Sequence, residues 1–80
     1  MIMNDIPNRL RYTKREDGYI LSTISSYDNW YGRYETAIRL EGIETWRIVE
    51  GYNTKEEALK GHEKYSDMPV EVISKIKYIG

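Results

Sequence analysis

His62 is the only imidazole in the chain, and Gly61-His62-Glu63 places it beside a carboxylate. A histidine next to an acid is the smallest unit that could move a proton, provided a pocket brings substrate to it. Set on the apolar stripe of a short helix, the same residue reads as a packed, hydrogen-bonded core histidine. Glu56-Glu57 offers a second chemical unit, a pair of carboxylates. Their position at a helix start explains both as capping and dipole-complementing residues. A glycine-rich phosphate loop, a Gly-x-Ser-x-Gly elbow and a His-Glu-x-x-His helix are all missing from the sequence. There is no cysteine, so a thiol nucleophile, a thiolate zinc site and disulfides are excluded. The expectation is a protein that is not an enzyme, with no catalytic residues, no metal and no cofactor.

Binding chemistry has better candidates. Tyr27-Asp28-Asn29-Trp30-Tyr31-Gly32-Arg33 puts three large aromatics and an arginine into a polar turn-forming segment. Tyrosine, tryptophan and arginine dominate binding hot spots, and they also stack on bases. Two readings stand for this segment: a recognition loop, or aromatics folded back to cap a small core. Arg9, Arg11, Lys14 and Arg15 form a basic run on the first strand. Arg9 and Arg11 are candidate neighbours of the loop in contacting a ligand. The competing reading is a solvated edge strand whose charges discourage aggregation. The expected binding set is Tyr27, Trp30, Tyr31 and Arg33, with Arg9 and Arg11.

The elements that must position these residues follow from periodicity. Arg9–Lys14 alternates as a half-buried strand, with Leu10 and Tyr12 on one side. Asp17-Gly18 supplies a hairpin turn and residues 19–24 a second strand. Residues 25–32 are the aromatic loop. Residues 33–40 alternate as a third strand, Glu41-Gly42 turns, and residues 43–50 make a fourth with apolar residues on both faces, as a central strand would. Thr54 and Glu57 match a capping box, which predicts a helix from Lys55 to Tyr65 or Ser66 with Ala58, Leu59, His62 and Tyr65 inward. Gly61 inside that helix predicts close packing onto the sheet. Asp67-Met68-Pro69 stops the helix. Residues 70–79, rich in valine and isoleucine, are read as β-like. The fold expected is α+β: a small, mostly antiparallel four-stranded sheet, one helix on one face and a β-like C-terminal tail. The core is expected from Leu10, Tyr12, Ile24, Ile38, Ile48, Ala58, Leu59 and Tyr65.

Eighty residues make one domain, 1–80, of which 1–8 are expected to be loosely ordered. The formal net charge is −1, which argues against direct nucleic-acid binding through a basic excess. No apolar run approaches a bilayer span and Met1 to Pro7 do not read as a signal peptide, so no membrane association and a cytoplasmic location are expected. Oligomeric state is left open by the sequence.

Tyr34-Glu35-Thr36 with Tyr52-x-Thr54-x-Glu56-Glu57-Ala58-x-x-Gly61-His62 resembles a group of small proteins from phages and prophages of Gram-positive bacteria. Their pattern is an aromatic-Glu-Thr-Met strand followed by Tyr-x-Thr-x-Glu-Glu-Ala-x-x-Gly-His. The match spans residues 34–65, and Ala37 and Arg39 depart from the strand half. The resemblance implies a phage accessory protein working in the cytoplasm of the bacterial host, and it carries over no catalytic residue. Small single-domain phage proteins often bind and block a host component, so the expected partner is a host protein and the expected role counter-defence, with anti-CRISPR inhibition as one version. A sponge for a nucleotide immune signal and a minor virion or assembly protein are the alternatives.

Overall fold

The computed structural model describes residues 8–26 and 28–80. The strands are β1 (Arg9–Lys14), β2 (Tyr19–Ser25), β3 (Tyr34–Leu40) and β4 (Arg47–Tyr52), followed by helices α1 (Lys55–Ser66) and α2 (Val70–Ile73). The sheet is an antiparallel meander in the order β1-β2-β3-β4, with α1 on one face. This is the α+β architecture the sequence predicts. Among the described residues no helix is long and apolar enough to cross a membrane.

Local chemistry fixes the joints. Arg15 N–H bonds the Tyr19 carbonyl and Gly18 N–H bonds the Arg15 carbonyl, closing a three-residue loop with Gly18 at φ 94°. That is a type I turn followed by a left-handed residue, a position that favours glycine. The Arg15 guanidinium then reaches across the molecule. Its Nη1 donates to the Tyr65 carbonyl at 2.7 Å, while Nη2 pairs with Asp17 at 2.5 Å. The hairpin tip is thereby tied to the last turn of α1, whose orphan carbonyls need donors. The other end of α1 carries the expected capping box: Thr54 Oγ1 accepts from Glu57 N–H, and Glu57 Oε1 accepts from Thr54 N–H.

The register places Leu21, Thr23, Thr36, Ile38 and Tyr52 on the face that α1 covers. Leu21, Ile38, Val49, Tyr65 and Ile73 form the apolar core, with Tyr19, Met68 and Ile76 against it. Of the expected core, Ile38, Ala58 and Tyr65 are buried, whereas Leu10, Ile24, Ile48 and Leu59 are only half-buried and Tyr12 is exposed. Two irregularities explain the difference. The β1–β2 register slips between Arg9 and Arg11. In β4, Glu50 faces Thr36 but Ile48 faces Ala37, leaving Val49 as an extra residue. Such a bulge turns the strand's alternation over, so Val49 enters the core in place of Ile48.

Two further expectations are corrected. Residues 43–46 are not strand, and by sheet order β4 is an edge rather than a central strand. Residues 70–73 form a helical turn, because winding after Pro69 is what brings Ile73 fully into the core. Tertiary burial overrides the β preference of Val70 and Val72, which stay exposed. The end of the tail does bond like a strand: Ile79 N–H donates to the Ile48 carbonyl and Ile48 N–H donates to the Gly80 carbonyl.

Candidate functional site

The aromatic loop joins β2 to β3 and is held by its own short polar residues. Ser26 N–H bonds the Arg33 carbonyl at 2.8 Å, closing the loop at its base. Ser26 Oγ donates to Asp28 Oδ1 and accepts from Asn29 N–H. Asp28 Oδ1 also accepts from Trp30 N–H at 3.0 Å. The Trp30 N–H and the Ser26 hydroxyl hold the Asp28 carboxyl below the usual carboxylate range. Asn29 adopts φ 55°, a conformation asparagine tolerates better than most residues.

The two readings of the aromatics divide by residue. Tyr31 lies inward. Its carbonyl presses so close to Gly51 that any Cβ there would collide, and its ring end abuts Gly80. Gly32, at φ 136°, runs against the Tyr52 backbone. Tyr31 is therefore a cap on the end of the sheet. Trp30 points the other way and is 76% exposed, the most exposed aromatic described. Arg33 is also exposed. Tyr27 lies outside the described residues.

The basic run does not stay together. Arg9 is at the loop's end of the sheet, since Asn8 accepts from Ser25 N–H. It lies over the Tyr12 ring at 4.4 Å and donates from Nε to Ser22. Arg11, beyond the register slip, pairs with Thr23 and so falls on the α1 side. Lys14 pairs with Glu41, and Arg15 clamps the helix end. Trp30, Arg33 and Arg9 thus share one end of the molecule, while Arg11, Lys14 and Arg15 have other surroundings.

His62 is 1% exposed and sits in a buried polar chain. Its Nε2 is 2.8 Å from Thr13 Oγ1 and its Nδ1 is 2.7 Å from Thr23 Oγ1. Thr23 continues to Thr36 at 2.6 Å, and Thr36 to the Tyr52 hydroxyl at 3.0 Å. One direction supplies an acceptor to every buried hydroxyl. Tyr52 donates to Thr36, Thr36 to Thr23 and Thr23 to Nδ1, while Nε2–H donates to Thr13. Thr13 also accepts from Ser66 and is partly exposed, leaving its own proton free to turn outward. Burial, with a smaller effect from Arg11, pushes the His62 imidazole down to about 4, and burial pushes the Tyr52 hydroxyl up to about 12. Both ring nitrogens are engaged within the fold, so His62 bridges α1 directly to β1 and β2, and through Thr23 to β3 and β4. Gly61 permits the bridge: a Cβ there would strike the Tyr52 ring and hydroxyl. Among the described residues no cluster of histidine and carboxylate side chains could hold a metal ion.

A second aromatic surface was not anticipated from the sequence. At the opposite end of the sheet, the Arg39 guanidinium lies 5.1 Å from the Trp46 ring centroid and that of Arg47 lies 4.5 Å from Tyr78. Its signal was the return of Trp and Arg just after a Glu-Gly turn, which strand alternation assigned to a sheet face instead. Comparison with protein-family models, with curated proteins and with solved structures finds no match to this chain.

Proposed function

We propose that this chain is a phage accessory protein that acts stoichiometrically, binding a host protein in the bacterial cytoplasm and blocking it as a counter-defence measure. Inhibition of a CRISPR effector is one concrete form. The observation that carries the proposal is Trp30: a tryptophan 76% exposed on a loop held by four internal or closing hydrogen bonds. An exposed indole with few ways to move gives contact area at little entropic loss on binding. Arg33, exposed and three residues further along, adds a cationic group suited to the rim of such a contact. The resemblance of residues 34–65 to phage proteins supports the origin and the kind of target. Engagement of both His62 nitrogens supports a binding rather than a catalytic role.

The test is affinity capture from host lysate with the wild-type chain and with Trp30→Ala, alongside mass spectrometry of small molecules released on denaturation. A host protein retained by the wild type and lost by a folded Trp30→Ala variant supports the proposal. A nucleotide released in place of a protein partner overturns it in favour of the sponge, and copurification with virions overturns it in favour of an assembly role.

A further inference from the structure

We propose that the end of the sheet opposite Trp30 is a second docking site, one that takes an extended peptide segment carrying a bulky apolar residue flanked by carboxylates. The turn after β3 opens it. Ile43 N–H bonds the Leu40 carbonyl with Gly42 at φ 88°, a type II turn that swings residues 43–46 away from the sheet. The C-terminal tail returns on the other side, fastened to Ile48. Between them lies a groove of about 370 Å³ whose walls include Leu40, Ile43, Arg47 and Tyr78. Ile43 is 54% exposed, and Leu40 and Tyr78 are exposed with it. The volume falls at the lower end of the range of roughly 300–1,000 Å³ for sites that enclose small ligands, enough for one or two large apolar side chains.

Charge selects the occupant. Arg39 donates from Nη1 to the Ile43 carbonyl and stacks on Trp46. Arg47 donates from Nε to the Gly80 carbonyl and stacks on Tyr78. Each guanidinium is therefore oriented, yet among the described residues neither pairs with a carboxylate. The ion pairs are Lys14–Glu41, Arg15–Asp17 and Lys64–Glu50. Glu41, the acid nearest in sequence to Arg39, is already taken by Lys14. Two pre-oriented arginines bordering an apolar groove match carboxylates placed either side of an apolar residue, because the guanidinium fork binds carboxylate bidentately. A nucleic acid would also meet arginine and aromatic groups, but its backbone calls for a broad basic surplus that this chain lacks.

The experiment titrates the ¹⁵N-labelled full chain with a synthetic Asp-Glu-Leu-Leu-Asp-Glu peptide. The controls are the same peptide with serines for leucines and with lysines for the acids. Saturable shifts centred on Leu40, Ile43, Trp46, Arg47 and Tyr78 are expected. Both controls should bind at least about tenfold more weakly, the lysine peptide because it loses charged hydrogen bonds and the serine peptide because it loses apolar burial. Arg47→Glu should weaken the acidic peptide by a similar factor, and exposed Ile43→Ser serves if that variant is misfolded. Trp30→Ala should leave the titration unchanged. No saturation, equal binding of the lysine peptide, or shifts centred on the Trp30 loop each overturn the proposal. So does binding of a single-stranded oligonucleotide at these residues in preference to the peptide, or a dimer in sedimentation that buries Ile43.

Discussion

Acid should loosen this fold through His62 before it does so through any carboxylate. The imidazole is neutral and buried, with a folded-state value near 4 against an ordinary 6.5. A base whose folded value is depressed binds fewer protons folded than unfolded. Stability is then full above about pH 6.5 and falls as pH drops through the window between the two values. The slope approaches ~1.4 kcal/mol per pH unit, and the total by pH 4 is about 3 kcal/mol. For a domain of this size, whose whole stability is on the order of 4–12 kcal/mol, that is a large share. Asp17, Asp28 and Glu50 carboxyls are all held low and act in the same direction, but only below their own ordinary values of 3.8 to 4.5. The interval from pH 6.5 to 5 therefore belongs to His62. Urea melts at pH 7.0, 6.5, 6.0, 5.5 and 5.0, followed by tryptophan fluorescence, should show the midpoint falling steadily below pH 6.5. His62→Gln should be less stable at pH 7 but flat over this interval. The reasoning is refuted if the wild type is flat there, or if the His62 ring protons titrate near pH 6.5 by NMR.

Gly61→Ala should destabilise the domain by about 1–3 kcal/mol in urea melts, because the added methyl strikes the Tyr52 ring. An exposed helix would instead gain ~1 kcal/mol from the same change, and that gain would show that α1 does not sit so close to the sheet. Thr54→Ala should lower stability by ~1 kcal/mol through loss of the acceptor for Glu57 N–H, and an unmoved midpoint would mean that the cap contributes nothing.

The parts of the fold that were legible are those written in neighbouring residues. Thr54 with Glu57 marks the helix start, Gly18 the first hairpin, and Gly61 the close approach of α1 to the sheet. The alternation of β1 was visible too, but its faces were assigned the wrong way round. A half-buried strand is expected to turn its apolar residues to the helix, whereas the interior under α1 is partly polar: Thr13 and Thr23 bond His62 there, Thr36 joins them through Thr23, and Tyr12 points away. A hydroxyl chain spread over four strands has no local signature, since its members and His62 lie 10 to 49 positions apart and become neighbours only through the register. The Val49 bulge hides for a related reason, because one extra residue inverts every later inside-outside assignment in β4. For the binding loop, residue types were informative while roles were not. Tyr31 and Trp30 are adjacent and chemically similar, and only the glycines at 51 and 80 decide which of them turns inward.

Trp30 is the residue on which the functional account rests. The most direct test is calorimetric titration of the captured host protein, once purified, with the wild-type chain and with Trp30→Ala, each first shown to have the same urea midpoint. As a hot-spot tryptophan, its removal should weaken binding by at least ~2 kcal/mol, about thirtyfold in Kd, with stability moved by no more than roughly 0.5 kcal/mol. Equal affinity for the two chains, both folded, would contradict the account.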